Sequence, residues 1–93
     1  MKLVGRNKLN EFAWKHATSR GPIRAWVAEI EGAQWQSMQA IKARYPLSSI
    51  LPENRVVFNL GGNKYRLETT VAFGTAVVVV NRIGTLAEYD KWK

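Results

Sequence analysis

Four polar residues in the second half of the chain could together act on a phosphodiester. Arg66, Arg82, Tyr89 and Asp90 supply two guanidinium groups, a phenol and a carboxylate. RNA is cut without a metal ion when its own 2′-hydroxyl attacks the adjacent phosphate. A protein assists by positioning the strand, stabilising the developing charge and moving protons. Arginine suits the charge because its planar fork matches phosphate oxygens, and Tyr and Asp can transfer protons. The residue types are adequate for that chemistry, which does not by itself establish an activity.

The charge of the chain favours a polyanionic partner. Fourteen Lys and Arg residues against seven Asp and Glu residues give a net charge of +7. Nucleic acid is the commonest partner of so basic a domain, although a solvated basic surface is the alternative. An anionic membrane is less favoured, because no predicted helix has a Lys/Arg face opposite a broad apolar one.

Other kinds of site find little support in the sequence. The chain has no cysteine, which excludes disulfides and thiolate metal sites, and no His, Asp and Glu cluster has metal-ligand spacing. We therefore expect no metal and no cofactor. The "GGN" tripeptide is predicted to be a hairpin turn rather than a phosphate loop. The single histidine, His16, falls on an apolar helix face, which is typical of a core or helix-end histidine.

Length and composition predict one domain over residues 1–93. No apolar run approaches the roughly 20 residues of a membrane span, and the start of the chain lacks the pattern of a signal peptide. A cytoplasmic protein is the expectation.

The elements that must position the candidate residues divide into a helical first half and a β second half. After a short extended start, three helices are predicted, the second with Pro22 at its first position. The third runs from about Ser37 to Arg44, and "PLSSILPEN" is predicted to be a connection. Each helix is predicted from residues that recur at the spacing of one helix face. These residues are Leu9, Phe12, Ala13 and His16 for the first helix, Ile23, Trp26, Val27 and Ile30 for the second, and Met38, Ile41 and Tyr45 for the third.

From Arg55 onward the apolar period changes from 3.6 to 2, which predicts an antiparallel meander of three strands with helices packed on one face. The valine run of residues 77–80 is apolar on both faces and predicts a central strand. Alternation of side chains along the strands then puts Asn59, Lys64 and Arg66 on the face of the sheet that the helices leave uncovered. Arg82 follows the third strand. Such a face could hold a phosphodiester strand, and the alternative is an ordinary solvated sheet face.

Two motifs give the chain a specific resemblance. "VVFNLGGNKYRL", a valine-rich strand and "GTLAEYDKW" together resemble the HigB family of toxins, in the RelE-like superfamily of bacterial type II toxin–antitoxin systems. The likeness covers most of the chain, including "LNEFAWKH", "RAW" and "NRVVFN". The combination of "FNxGGNKYRL" with "GTxAEYD" is specific, whereas either motif alone would be weak.

The resemblance implies an α+β fold of helices on a twisted antiparallel sheet, with a short N-terminal strand and a C-terminal helical turn. It implies an mRNA interferase, an endoribonuclease and hydrolase that cuts messenger RNA on the translating ribosome. A HigA-like helix-turn-helix antitoxin would neutralise it. Arg66 would stabilise the transition state at the phosphate, and Tyr89 would stack on a base or help proton transfer. Asn59 and Lys64 would position the RNA backbone, with Asp90 beside Tyr89.

Position 86 departs from the family. Members commonly read "GTHAEYD", and this chain has Leu86 where they have histidine. Leucine carries no charge and takes up no proton, so general acid–base help there, typically about a hundredfold to ten-thousandfold in rate, is lost. Three explanations for this leucine are open. The chain is a natural variant that relies on Arg66 and Tyr89, a degenerate non-toxic relative, or a deliberately attenuated variant.

Three hypotheses follow from these observations. The first is a ribosome-dependent endoribonuclease toxin. The second is a catalytically silent RNA- or ribosome-binding module controlled by an antitoxin. The third is an interaction domain that uses the apolar surface of its helices.

Overall fold

The computed structural model of the chain describes residues 1–92 and has four α-helices and a five-stranded sheet, an α+β arrangement as predicted. A 3-10 turn at Ala17–Ser19 joins the first two helices. The helices are α1 Arg6–Lys15, α2 Arg20–Gly32, α3 Met38–Arg44 and α4 Leu86–Asp90. The strands are β1 Lys2–Val4, β2 Ser49–Leu51, β3 Arg55–Leu60, β4 Tyr65–Ala72 and β5 Val77–Thr85.

The order of strands across the sheet is β1-β5-β4-β3-β2. The predicted meander is confirmed, since β3, β4 and β5 pair antiparallel in sequence order, and the valine strand β5 is interior. The sheet is mixed rather than wholly antiparallel, because β1 pairs parallel to β5 with Leu3 opposite Val78. This pairing joins the first strand in the sequence to the last one. The spacing of apolar residues within either strand carries no information about which strand it pairs with.

One strand was missing from the prediction. The segment "PLSSILPEN" is not only a connection, because Ser49–Leu51 forms β2 and pairs antiparallel with β3, with Ile50 opposite Val56. A strand of three residues is too short to show a period of two. It forms because β3 offers an unpaired edge beside it.

The core lies between one face of the sheet and helices α1, α2 and α3. Phe58 on β3 is fully buried and makes edge-to-face contacts with Trp26 of α2 and with Tyr45, the residue after α3. The other core residues come from the predicted apolar positions of these helices and from alternate positions on β3, β4 and β5. Burying these side chains supplies the main driving force for folding.

The helix ends differ from the prediction in one place. Pro22 is the third residue of α2 and not the first, because the preceding 3-10 turn leads directly into a helix that begins at Arg20. Proline is tolerated there since the first four backbone N–H groups of a helix have no intrahelical partner. Ser37 caps α3 by accepting a hydrogen bond from the Ala40 amide at 3.2 Å. None of the helices in residues 1–92 has the length and apolarity to cross a membrane.

Candidate nucleic-acid interface

The face of the sheet that is turned away from α1 and α2 carries polar side chains near one end. Asn59 on β3 lies directly opposite Arg66 on β4, and Arg66 lies opposite Gly84 on β5. Glu68, two residues along β4, lies opposite Arg82. Alternate residues of paired strands point to the same face, so these side chains share one surface, which we call the open face.

Helix α4 is positioned against this end of the open face by a glycine. A Cβ atom on Gly84 would lie 3.0 Å from Cζ2 of Trp92 and 3.1 Å from Cβ of Glu88, so any larger residue would push the C-terminal segment away. The backbone N–H of Leu86 also donates to the carbonyl of Lys64 at 3.0 Å, which ties the start of α4 to the β3–β4 turn.

A capping box begins α4. The Thr85 hydroxyl accepts from the Glu88 amide at 3.2 Å, and the Thr85 amide donates to Oε1 of Glu88 at 2.9 Å. The bond from the Thr85 backbone is the main reason that the pKa of Glu88 lies below its ordinary value, since it stabilises the ionised carboxylate. The cap orients a helix of only five residues, and with it Tyr89.

Arg66 lies among the polar side chains of the open face, near the end that adjoins the β3–β4 turn. Its guanidinium carbon is 5.5 Å from the centroid of the Tyr89 ring, within the range of a cation–π contact. Nη1 donates to the carbonyls of Asn63 at 3.1 Å and Tyr65 at 3.2 Å. These bonds use one nitrogen of the fork, and no carboxylate within residues 1–92 forms an ion pair with Arg66. Its positive charge is therefore available to an anion.

Arg82 lies within β5 rather than after it, because the strand continues past the valines to Thr85, and it has a different environment on the same face. Nη2 of Arg82 lies 3.1 Å from Oε1 of Glu68, whose side chain is almost fully buried. Asn81 donates to the second carboxylate oxygen at 3.3 Å. The Arg82 guanidinium also stacks on Trp92, with 4.2 Å between its carbon and the ring centroid. The Glu68 carboxylate offsets the Arg82 charge, so the two arginines of the open face are electrostatically unequal.

The remaining predicted residues surround Arg66. Asn59 is half-buried and its Nδ2 lies 3.5 Å from Oδ1 of Asn63. Lys64 is exposed in the β3–β4 turn, and Asp90 is exposed at the last position of α4. Leu86, the first residue of α4, is 40% exposed. The structure therefore brings Asn59, Lys64, Leu86 and Tyr89 around one end of the sheet with Arg66.

His16 lies at the end of α1, one of the two positions expected for it. Its ring stacks on Phe12 with centroids 4.2 Å apart, and it is half-buried. It also lines a cleft of about 310 Å³ between α1, β5 and α4, together with Arg82 and Glu88.

Sequence reasoning missed two residues of this face, Glu68 and Trp92. Glu68 is the one acidic residue in β4, and its ion pair with Arg82 depends on the β4–β5 register, which shifts at a β-bulge between Glu68 and Thr69. Trp92 lies beyond the last periodic element. Its signal was its place within "GTLAEYDKW", two residues after Asp90.

Comparison with known proteins supports the resemblance found in the motifs. A search among curated proteins finds no match to this sequence. The model of one family, HigB_toxin, described as the RelE-like toxic component of a toxin–antitoxin system, matches residues 19–92. The match runs from the start of α2 through strands β2 to β5 and α4, and so includes every open-face residue described above. The chain therefore belongs to the HigB_toxin family, and as the toxic component of a toxin–antitoxin system it has an antitoxin as partner.

Proposed function

We propose that this toxin is a ribosome-dependent mRNA interferase that cleaves RNA without a metal ion, through the RNA's own 2′-hydroxyl. One observation carries the proposal. Arg66 is held on the open face by two backbone carbonyls, stacks on Tyr89, and has no carboxylate partner within residues 1–92. A fixed cation of this kind suits the charge that builds up at a phosphate during attack.

The proposed step forms one bond and breaks another. The 2′-oxygen bonds to the adjacent phosphorus as its proton leaves, and the bond from phosphorus to the 5′-oxygen breaks as that oxygen gains a proton. The products are a 2′,3′-cyclic phosphate and a 5′-hydroxyl end. Arg66 stabilises the extra negative charge on the phosphoryl oxygens, while Lys64 and Asn59 position the flanking backbone.

The proton transfers fall to Tyr89 and Asp90. Tyr89 adjoins Arg66 and offers both a ring for stacking on a base and a hydroxyl for proton transfer. Asp90 is exposed one residue further along α4. Leu86 has no group that accepts a proton, so the chain is expected to be slower than members with histidine there.

A second candidate function is favoured by Leu86 itself. A chain with a basic open face and no acid–base group at position 86 would bind RNA or the ribosome without cutting it, under the control of a HigA-like helix-turn-helix antitoxin. Binding would then be salt-sensitive because phosphate contacts release counterions.

Expression in bacteria without an antitoxin tests the first function. We expect the chain to arrest growth and its messages to carry new 5′-hydroxyl ends when mapped by primer extension. Arg66→Ala should lower the cleavage rate by roughly a hundredfold to a thousandfold, the usual cost of losing one donor to a developing oxyanion. Leu86→His should raise it by about a hundredfold or more if proton transfer limits the rate.

Arg55→Ala is the matched control. Arg55 lies on the same face of the sheet, at the end of β3 far from Arg66, opposite Thr70. It should leave cleavage within about twofold of the starting chain, as expected of a surface change away from the site. Soluble Leu86→His protein that neither arrests growth nor cleaves messages would count against the nuclease. If that protein still bound RNA in a salt-dependent way, the silent module would be supported.

A further inference from the structure

A groove between α1 and α2, on the helical side of the molecule, takes no part in the open face. Its volume is about 450 Å³. Leu9 and Ile23 form part of an apolar floor, and both are buried. Trp14 stands at its edge with 80% of its surface exposed, the most exposed large apolar side chain within residues 1–92. An exposed tryptophan beside an apolar groove is typical of a protein–protein interface.

The rim of the groove is basic. Arg6, Arg20 and Arg24 line it with one acidic residue, Glu31. Arg6 pairs with Glu31 at 3.3 Å between Nη1 and Oε2. Arg20 and Arg24 form no ion pair with any carboxylate of residues 1–92. Two exposed guanidinium groups beside an apolar floor complement a segment that carries both carboxylates and apolar side chains.

From these observations we propose that the α1–α2 groove is the docking site for an acidic, amphipathic segment of the antitoxin. The apolar side chains of that segment fill the floor against Trp14, and its carboxylates pair with Arg20 and Arg24. Family membership implies that an antitoxin exists. The residues that line the groove indicate the chemistry of the antitoxin segment that would bind there. Antitoxin docking of this kind does not depend on RNA cleavage.

The apolar floor favours a protein over RNA as the occupant. A phosphodiester strand presents charge along its whole length, and buried Leu9 and Ile23 offer nothing that binds a phosphate. The open face, with Arg66 and Tyr89, lies on the other side of the sheet and presents a guanidinium group without a carboxylate partner within residues 1–92. The two surfaces therefore suit partners of different chemistry.

Binding of the purified cognate antitoxin tests the proposal by titration calorimetry at low and high salt. Trp14→Ala should weaken binding by at least about tenfold, the usual effect of truncating an interfacial tryptophan. Arg24→Glu should weaken it about tenfold at low salt and less at high salt, because salt screens rim charges. Among overlapping peptides of the antitoxin, the tightest binder should carry Asp or Glu beside apolar residues.

Two variants outside the groove act as controls. Leu47→Ala truncates another apolar side chain, 71% exposed, in the segment between α3 and β2. Arg55→Glu makes the same charge change as Arg24→Glu on the opposite face of the sheet. Both should bind the antitoxin within about twofold of the starting chain. Melting temperatures should match for all variants, and if Trp14→Ala fails to fold, Arg24→Glu decides the question.

Three results would overturn the proposal. The first is antitoxin binding that changes by less than twofold in both groove variants. The second is a loss of RNA affinity in the groove variants while their antitoxin binding stays unchanged, which would make the groove a nucleic-acid surface. The third is a dimer of the free chain that Trp14→Ala dissociates, which would make the groove an interface between two copies.

Discussion

At the scale of single residues, Arg66 and Arg82 form a natural pair for comparison. Both lie on the open face and both stack on an aromatic ring, Tyr89 for one and Trp92 for the other. They differ in Glu68, which pairs with Arg82 alone. Because the Glu68 carboxylate lies beside Arg82, Arg66 is the stronger candidate for the phosphate, while Arg82 contacts both Glu68 and Trp92 of the C-terminal segment.

Glu68→Gln tests this difference. The amide keeps a hydrogen-bond acceptor for Arg82 and removes the negative charge, so Arg82 would become available to RNA. We expect affinity for single-stranded RNA to rise roughly fivefold, equivalent to about 1 kcal/mol. The dependence of log K on log salt should steepen by about 0.7, the value for one added phosphate contact.

Glu53→Gln provides the control for Glu68→Gln. Glu53 is exposed in the β2–β3 turn, and its substitution makes the same one-unit change in net charge. It should leave the affinity nearly unchanged. An equal rise in both variants would mean that net charge alone governs RNA binding, and that Arg82 has no special place in it.

Leu86 illustrates how a side chain and a backbone at one position can have separate roles. Its backbone N–H ties α4 to Lys64, and this bond is available to any residue except proline. Its side chain is 40% exposed, so a histidine there would not have to be buried. Leu86→His is thus expected to change the chemistry of the site without changing the fold.

At the scale of elements, α4 is the part of the site with the least support of its own. It has five residues and none of them is buried. So short a helix is unstable in isolation, because the entropy cost of fixing its first turn exceeds the stabilisation from the few hydrogen bonds that it forms. Its position depends on the Thr85 cap, the absence of a side chain at Gly84 and the bond from Leu86 to Lys64.

Thr85→Ala should therefore loosen α4 and leave the rest of the fold intact. Losing an N-cap hydroxyl costs about 1 kcal/mol, so the amides of α4 should exchange with solvent roughly fivefold faster. RNA cleavage should fall as Tyr89 spends less time beside Arg66, and the melting temperature should stay within a few degrees. Hydrogen exchange followed by mass spectrometry measures the first effect.

Thr85→Ser is the companion variant, because serine retains the capping oxygen. It should restore slow exchange in α4. If Thr85→Ala left exchange and cleavage unchanged, the cap would not be what holds Tyr89 in position.

At the scale of the whole molecule, one core supports two basic surfaces on opposite sides of the sheet. Phe58 lies in this core, fully buried between Trp26 and Tyr45. Because small domains are stable by only about 5–15 kcal/mol, a large loss at this point affects both surfaces together.

Phe58→Ala should reduce the free energy of unfolding by about 3–5 kcal/mol, measured by urea denaturation. Binding of RNA and of the antitoxin should weaken in parallel, since both surfaces depend on the same packing. Leu47→Ala, at an exposed position, should change the unfolding free energy by no more than about 0.5 kcal/mol. A loss below about 1 kcal/mol in Phe58→Ala would show that the core adapts to the missing ring.

Local periodicity made much of the fold predictable. The first three helices, the β3–β4–β5 meander and the interior place of the valine strand follow from apolar spacing within a few residues. The shared face of Asn59 and Arg66 follows from alternation along two strands joined by a tight turn. The site could be anticipated only as a set of candidates, and their roles remain predictions.

The sequence by itself determined the first three helices, the β3–β4–β5 meander, the basic character and the family, because each is encoded in neighbouring residues or in short motifs. Only the tertiary structure decided which distant residues meet. It brought β1 beside β5, paired Glu68 with Arg82, set Tyr89 against Arg66 and opened a groove beside Trp14. The physical reason is that these contacts depend on how the helices and the sheet pack as a whole, and no local period records that packing.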